Sequence, residues 1–213
     1  MSTDAGNIPS RADRIVCSAL ELIDNEGLDA LTMRQLASSL KLQLPAIYRV
    51  FANKQAILDQ VAETVLKRAL PDDLDTSTWG NEAMALAISL RHAILSQRDG
   101  ARIVGGRYTA HKNTLAFADR LVGVMERAGF EGELALWATT TVFCYVLGET
   151  LEQQGASAGA VESLGELVEQ HVYPHLFATP TDQLVNFDDR FEFGLKIIIG
   201  GLYALSHDAL PTS

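Results

Sequence analysis

Cysteine is scarce in this chain, which has only Cys17 and Cys144 among its 213 residues. The two lie far apart in apolar, helix-like stretches, and no Cys-x-x-Cys or paired Cys/His spacing occurs. This excludes a disulfide framework and a structural zinc site of the usual spacing, and it is typical of a reducing compartment. We expect both cysteines to fill the core, and we expect no metal or cofactor.

Long apolar runs and targeting signals are also lacking. No stretch of about 18 consecutive apolar residues predicts a membrane-spanning helix. The N-terminal sequence MSTDAGNIPSRADR has neither an apolar centre nor a small-residue cleavage site. At this length the chain buries a sizeable core without disulfides. Because apolar runs and targeting signals are lacking, we expect a cytoplasmic protein with no membrane partner.

Basic side chains are too few to balance the acidic ones, since 17 Lys and Arg stand against 27 Asp and Glu, a net charge of −10. Residues 1–70 contain 8 basic and 8 acidic side chains, whereas residues 71–213 contain 9 and 19. The acidic excess therefore lies entirely in the second part. If the partner is DNA, we expect it at the N-terminal end.

Strand-like alternation is absent, and helical periodicity dominates instead, which predicts an all-α protein. The N-terminal helices are predicted at 10–26, 33–40, 45–51 and 54–69. Their signals are Gly27 as a stop, Thr32 and Asn53 as N-caps, and Pro45 in a first turn. Beyond a linker at 72–75, helices are predicted at 77–97, 101–107, 113–128, 132–154, 160–177 and 188–207.

Three short helices with a tight break between the second and third form the frame of a helix-turn-helix. Residues 31–62, LTMRQLASSLKLQLPAIYRVFANKQAILDQVA, resemble that of the TetR family of transcriptional regulators nearly position for position. The resemblance continues at 95–107, 126–154 and 191–202, where it points to the tetracycline-repressor branch.

The resemblance implies two domains. Residues 1–70 form a three-helix DNA-binding domain (core 10–56, connecting helix to 69), and residues 71–213 form a helical domain for ligand sensing and dimerisation. The implied function is a ligand-responsive transcriptional repressor that binds a palindromic operator as a homodimer. Its implied partners are double-stranded operator DNA and a small-molecule effector.

The resemblance also assigns DNA contacts. The predicted set is Met33, Arg34, Leu44, Pro45, Ala46, Tyr48, Arg49 and Lys54. Arg34 matches a guanine-contacting arginine, and Tyr48 and Lys54 match phosphate contacts. Base edges are expected to face Leu44, Pro45, Ala46 and Arg49. The alternatives are that Tyr48 packs between helices and that Arg34 is only a solvated charge.

Two features depart from the family pattern. Lys41 occupies a turn position where the family usually has glycine, at a cost of about 1 kcal/mol if its backbone is left-handed. Leu44 and Ala46 replace more polar readers. Because they can contact thymine methyl groups but cannot discriminate by hydrogen bonds, much of the base reading is left to Arg49.

An effector cavity is implied between the helices of the second domain. Its predicted lining is Leu86, Leu90, Val104, Arg107, Leu121, Cys144 and Tyr145. Tetracycline repressors hold a drug–magnesium complex with histidines and polar side chains, whereas the matching positions here are Leu70, Leu86, Val104, Arg107 and Cys144. Glu152 matches an acidic residue there, but without the histidine we expect it to be solvated or salt-bridged.

We therefore predict a metal-free, largely apolar effector. Arg107 is the exception, because it can pair either with an acidic group of the ligand or with Asp119 or Glu149. The helix at 101–107 is expected to touch both the cavity and the fourth helix. Its movement would change the separation of the two recognition helices, that is, the third helix of each protomer. This separation must be near 34 to 36 Å for half-sites on one DNA face.

Residues 132–154 and 191–205 are apolar nearly all round, which predicts burial on every side. Gly194, Gly200 and Gly201 permit close backbone approach. We therefore predict a homodimer through the helices near 132–154 and 188–207, as a two-fold four-helix bundle. The alternative is that both helices serve the core of a monomer.

Enzyme motifs are weak. Gly155 to Gly159 matches the G-x-S-x-G pattern, but it follows a helix rather than a strand, which argues against a nucleophilic serine. His171 and His175 are separated by Pro174 and lack an acidic third ligand, which argues against zinc. We expect no enzyme. The alternative function is a constitutive dimeric DNA-binding regulator whose cavity is filled by core side chains.

Overall fold

The structure, a computed structural model, describes residues 10–71, 73–74, 77–106, 111–156 and 168–207, without the side chains of 181 and 182. Within these ranges it contains ten α-helices and two 3-10 helices, Leu28–Ala30 and Thr181–Val185, and no strand. The α-helices are α1 Arg11–Glu26, α2 Met33–Ser39, α3 Leu44–Tyr48, α4 Lys54–Lys67, α5 Trp79–Leu95, α6 Gly100–Val104, α7 Lys112–Arg127, α8 Glu133–Gly155, α9 Pro174–Phe177 and α10 Phe187–His207. The predicted all-α fold is confirmed.

Helices α1 to α4 form an N-terminal core. A capping box starts α1, since the Asp13 N–H donates to Ser10 Oγ at 3.1 Å and the Ser10 N–H donates to the Asp13 carboxylate at 2.9 Å. The buried residues Ile15, Ala19 and Ile23 recur every fourth position of α1. This spacing gives the helix one apolar face, which packs against α2 and α4.

The remaining helices form a second core. Helices α5 and α7 pack against α8, and α10 packs against both α8 and α5. The side chains that α8 buries there recur at spacings of three and four, namely Ala135, Ala138, Val142 and Val146. One stripe of α8 is therefore fixed within the protomer.

Helix α4 belongs to both cores. Val61 is buried in the N-terminal core, and Val65, one turn later, is buried in the second. Helix α6 also belongs to both cores, because Ile103 is buried in the N-terminal core and the adjacent Val104 is buried in the second. Burying a side chain of this size stabilises the fold by about 1.5–3 kcal/mol. Two helices thus hold the N-terminal core on the rest of the molecule.

Hydrogen bonds reinforce the same boundary. Asp99 Oδ2 accepts from the Leu28 N–H at 2.8 Å. Arg102 forms an ion pair with Asp29 (Nη2–Oδ1, 2.9 Å) and a second one with Asp99 (Nη1–Oδ1, 3.2 Å). Two more pairs cross the boundary: Gln97 with Asp24 and Arg98 with Asn25.

Three helix predictions need correction. Of the helix predicted at 160–177, residues up to 167 lie outside the described residues, 168–173 are not helical, and only Pro174–Phe177 is a helix. Proline disfavours helix in the residue before it and suits a first helical position, which explains the start. Helix α6 ends at Val104 rather than 107, because Gly105 leaves the helical conformation. Helix α3 begins one residue earlier than predicted and ends at Tyr48 rather than at residue 51.

The cysteine prediction is wrong for the protomer. Cys17 and Cys144 are both exposed free thiols, because each lies on the side of its helix opposite the buried stripe. The expectation about membrane spans also needs a qualification, since Glu133–Gly155 is long and apolar enough to cross a bilayer. One such helix is weak evidence, because core helices of proteins without a membrane pass the same test.

Candidate nucleic-acid interface

A tight turn joins α2 to α3. The Leu42 N–H donates to the Ala37 carbonyl at 2.8 Å, and the Lys41 N–H donates to the Ser38 carbonyl at 3.0 Å. This pair of bonds is the Schellman pattern that ends a helix with a left-handed residue. That residue is Lys41, with φ 52°, so the condition attached to the cost of a lysine at this turn position is met. Helix α3 then starts at Leu44.

Helix α3 is held by a single fully buried side chain, Ile47. Of the predicted DNA contacts, Arg34, Pro45, Tyr48 and Arg49 are exposed, while Met33, Leu44, Ala46 and Lys54 are half-buried. Tyr48 is 48% exposed, so it does not pack between helices. Helices α2 and α3, which contact each other, therefore both expose predicted DNA contacts.

The charge on this surface has one sign. Between Asp29 and Asp59 the sequence contains no acidic residue, and its only charged side chains are Arg34, Lys41, Arg49 and Lys54. Within a chain of net charge −10, this acid-free stretch coincides with the exposed face of α2, the turn and α3. Such a cationic surface suits the phosphate backbone of nucleic acid.

Lys54 has a neighbour inside the protein. Its Nζ donates to the Leu28 carbonyl at 3.4 Å. The nearby Asp29 carboxylate has a pKa below its usual value, chiefly because Arg102 donates hydrogen bonds to it, with a smaller contribution from the charge of Lys54. Lys54 thus also helps to hold the 3-10 helix Leu28–Ala30 on the start of α4.

The predicted effector-lining residues separate into three groups. Leu86, Leu90, Val104 and Leu121 come together in the second core, each at most 4% exposed, and Tyr145 packs against them. Cys144 does not join them, because it lies on the exposed face of α8. Arg107 lies outside the described residues.

A polar cluster borders this group at the start of α10. The Tyr145 hydroxyl donates toward the carbonyls of Phe191 (2.9 Å) and Arg190 (3.2 Å), and burial raises the pKa of Tyr145. Arg190 Nε contacts Glu149 at 2.9 Å. Glu149, one of the two partners considered for Arg107, therefore already pairs with another arginine.

Arg91 is the buried cation of this cluster. Its guanidinium donates to Asp188 at 2.6 Å and to Gln153 at 2.7 Å, and it stacks on the Phe191 ring, 4.9 Å from the centroid. Its Nε is buried with no hydrogen-bond partner among the described residues.

Glu152, the residue that matches the acidic group of the tetracycline site, is exposed.

Metal-ligand groups are not found in the described ranges, where no three His, Cys, Asp or Glu side chains come together. His171 is exposed and lies 3.2 Å from Glu169, and His175 is also exposed. Ser157, the centre of the G-x-S-x-G match, lies outside the described residues.

Helices α8 and α10 leave apolar faces uncovered in the protomer, so the core of one protomer does not bury them on every side. The exposed side chains are Leu136, Trp137 and Leu151 on α8 and Phe193, Ile197, Tyr203 and Leu205 on α10. The glycines of α10 differ: a Cβ at Gly194 would overlap the Tyr145 hydroxyl, whereas one at Gly200 or Gly201 would meet no described atom within 4 Å. An apolar surface of this extent is typical of an interface between proteins.

A helix-turn-helix unit with an exposed surface whose only charges are cationic, joined to a separate helical core, is typical of two-domain bacterial transcription regulators. Residues 15–61 match the family described as bacterial regulatory proteins, tetR family, and residues 70–206 match the tetracyclin repressor-like, C-terminal domain. The chain therefore belongs to the tetR family, and its N-terminal part is the DNA-binding helix-turn-helix domain of that family. The predicted resemblance is confirmed.

Individual relatives are similar to this chain over nearly its full length. The tetracycline repressor protein class G of Vibrio anguillarum is 35% identical over 209 residues, which cover 93% of this chain and 96% of that protein. A crystal structure of a possible TetR family transcriptional regulator from Streptomyces coelicolor A3(2) has a TM-score of 0.81 and 39% identity, covering 91% of this chain and 99% of that one.

Two further structures contain partners. ActR from Streptomyces coelicolor in complex with actinorhodin has a TM-score of 0.84 and 33% identity, covering 95% of this chain and all (100%) of that one. BioQ with its natural double-stranded DNA operator has a TM-score of 0.70 and 27% identity, covering 92% of this chain and 99% of that one.

The boundary residues were missed from the sequence. Asp99 and Gly100 form an Asp-Gly pair, a turn signal, and Asp99 does adopt a positive φ of 58°. That signal could have marked the position as a turn but not its partner Leu28, which is 71 positions away. Glu63 was missed as well, although its carboxylate accepts from the backbone N–H groups of Asn113 (2.7 Å) and Thr114 (2.9 Å) at the start of α7.

Proposed function

We propose that this chain is a transcriptional repressor that binds a palindromic operator as a homodimer and is released by a small, largely apolar effector. The observation that carries the proposal is the acid-free, exposed surface of α2, the turn and α3 in an otherwise acidic chain. Arg34 and Arg49 are the proposed base readers, with Met33, Leu44, Pro45 and Ala46 in apolar contact. Tyr48 and Lys54 are the proposed phosphate contacts.

The proposed dimer uses the uncovered faces of α8 and α10. Two copies of each helix would bury the exposed side chains of both, and Gly200 and Gly201 would admit the partner's backbone. The domain limits that follow are residues 1–70 for DNA binding and 71–213 for ligand binding and dimerisation. The proposed location is the cytoplasm, where the DNA of a bacterial regulator lies.

Release is proposed to run through α6. Val104 is packed in the second core and Ile103 in the N-terminal core, so a ligand that displaces α6 also displaces the DNA-binding domain. A shift of a few ångströms in the separation of the two recognition helices would break the register on two half-sites. The structure of α6 supports this route because Ala101 and Val104 lie in the second core, Ile103 lies in the N-terminal core, and Arg102 pairs with Asp29 and Asp99.

The effector is proposed to be apolar because Leu86, Leu90, Val104 and Leu121 belong to one buried apolar cluster, against which Tyr145 packs. The relative in complex with actinorhodin supports aromatic, polyketide-like compounds as the first candidates. The alternative is a constitutive regulator without a ligand. It is favoured by one observation, the complete burial of Leu86, Leu90 and Leu121 in continuous packing.

DNA binding is tested by enriching duplexes from a random-sequence pool and measuring anisotropy with the enriched sequence. We expect a dyad-symmetric sequence, and we expect Arg34→Ala and Arg49→Ala each to lose about 1–3 kcal/mol of discrimination at one base pair. The matched control is Lys67→Ala, because Lys67 is an exposed cation at the end of α4, outside the proposed surface. Failure to enrich any sequence over the starting pool would contradict the proposal.

Ligand response is tested on the same protein–DNA complex. Aromatic and polyketide-like compounds are screened by thermal shift, and the hits are added to the complex. Release of the enriched duplex by a compound that also raises Tm supports the effector proposal. If no compound raises Tm and none releases the enriched duplex while DNA binding is intact, the constitutive alternative holds.

A further inference from the structure

The turn between α2 and α3 keeps lysine where glycine is the least costly residue. Lys41 is the left-handed residue of the Schellman pattern, with φ 52°. A side chain that carries a Cβ is strained in this conformation, and Gly occupies it without strain. Strained residues cluster at functional sites.

The side chain of Lys41 has no packing role to explain it. Lys41 is exposed, while the flanking residues Leu40 and Leu42 pack against the N-terminal core. It is also one of only four charged residues between Asp29 and Asp59. The turn thus adds a third cation to the outward surface that Arg34 begins and Arg49 ends.

The other expected phosphate-binding cation is only partly available. Lys54 is half-buried and donates to the Leu28 carbonyl, so part of its hydrogen-bonding capacity is used inside the protein. Lys41 carries a compact ammonium group on a flexible stem at the point where the chain enters the recognition helix. Such a group is suited to a phosphate oxygen and not to bidentate reading of a base.

We propose that Lys41 binds a phosphate of the DNA backbone beside each half-site, and that this contact is why the strained turn keeps a lysine. The inference rests on the proposed function. It adds a contact that increases affinity for every sequence equally. Because the homodimer has two such turns, each bound duplex would gain two phosphate contacts.

The experiment compares three variants, Lys41→Gly, Lys41→Asn and Lys41→Arg, with the wild type. Gly removes both the charge and the strain, Asn removes the charge but tolerates the left-handed backbone, and Arg keeps the charge. Kd is measured for the enriched duplex and for a random-sequence duplex over a range of salt concentrations. Tm is measured for the free proteins.

We expect Lys41→Gly to raise Tm by about 2–4 °C while weakening binding to both duplexes by at least about tenfold at roughly 0.1 M salt. The slope of log K against log salt should become shallower by about 0.9 per protomer, or about 1.8 per dimer. Lys41→Asn should lose affinity equally, and Lys41→Arg should retain it. The opposite effects on stability and binding separate a DNA contact from a folding defect.

Unchanged affinity and salt slope for Lys41→Gly would overturn the inference and leave the proposed function intact. A loss confined to the enriched duplex would also overturn it, because it would indicate base reading. A wild-type protein that binds neither duplex overturns both proposals. Lys67→Gln, an equal charge loss outside this surface, is the control and should change the slope little.

Discussion

The carboxylate of Asp99 accepts a hydrogen bond from the backbone N–H of Leu28 at 2.8 Å. The two residues lie on opposite sides of the boundary between the N-terminal core and the second core. Leu28 starts a 3-10 helix, where backbone N–H groups have no partner of their own. Asp99 holds this end while its own backbone has a positive φ of 58°, so a strained residue joins the two parts of the chain.

Replacement of Asp99 should uncouple the two parts. Asp99→Ala leaves the Leu28 N–H without its acceptor and places alanine at positive φ, so we expect a loss of about 1–3 kcal/mol. Asp99→Asn keeps an acceptor and tolerates the backbone, and it should lose less, since the ion pair with the half-exposed Arg102 is worth little. Hydrogen exchange of α1 and the 3-10 helix, followed by mass spectrometry, measures the effect. Equal protection in Asp99→Ala and wild type would contradict it.

Glu63 should make stability depend on pH. Burial alone would raise its pKa, but hydrogen bonds from the Thr114 side chain and the Asn113 and Thr114 backbones lower the pKa below its ordinary value. A lowered pKa in the folded state adds stability that is present above the unfolded-state pKa, about 4.3, and is lost as the pH falls through the folded-state value. Glu63→Gln should therefore be destabilised by about 1–3 kcal/mol at neutral pH.

The difference between Glu63→Gln and the wild type should shrink as the pH falls below about 4. Urea unfolding at fixed protein concentration over this pH range measures it. The matched control is Glu21→Gln, which removes a carboxylate from the exposed surface of α1. A constant difference across the range would mean that the carboxylate does not cap α7.

The ion pair between Arg91 and Asp188 should respond unequally to removal of its two partners. The Arg91 side chain is 8% exposed and that of Asp188 is 82% exposed. Asp188→Ala leaves a buried cation with Gln153 and the Phe191 ring as its remaining partners, and we expect a loss of about 1–3 kcal/mol. Arg91→Met leaves an aspartate that is already hydrated, and it should lose less than about 1 kcal/mol. Chemical denaturation measures the loss of unfolding free energy in both variants. A larger loss for Arg91→Met than for Asp188→Ala would refute the interpretation.

A charge on the uncovered face of α10 should prevent dimer formation. Ile197 is 59% exposed in the protomer, and Ile197→Lys would place an unpaired charge inside the proposed interface. We expect a monomer by sedimentation velocity, with DNA affinity reduced by at least about 100-fold because two half-sites no longer bind together. Leu115→Lys is the control, since Leu115 is equally apolar and 53% exposed on α7; it should remain a dimer.

Much of the N-terminal domain could be predicted from the sequence because its signals are local. Thr32, Asn53 and Gly27 mark helix ends through bonds or angles formed within a few residues. At Lys41 the family resemblance marks a turn position where glycine is usual, and the structure gives this residue a left-handed backbone. The exposure of Tyr48 then follows, because Ile47 takes the buried position of α3.

The second domain was harder to predict because its determinants are distant in sequence. Apolar periodicity marks α8 as a core helix but cannot separate the side that packs inside the protomer from the side that remains uncovered. The periodicity therefore predicts Cys144 in the core, whereas it lies on the uncovered side. The pairing of Arg91 with Asp188, 97 positions apart, leaves no trace in either local sequence.

The burial of Ile103 in the N-terminal core has a consequence for protein engineering. A chimera cut at the linker near residue 72 would give a foreign DNA-binding domain a side chain from α6 that its own core was not shaped to receive. A void or an overlap there costs about 1–3 kcal/mol. The DNA-binding domain of this regulator can therefore be transferred without this cost only if residues 97–103 are transferred together with residues 1–70. The two segments are not contiguous in the sequence.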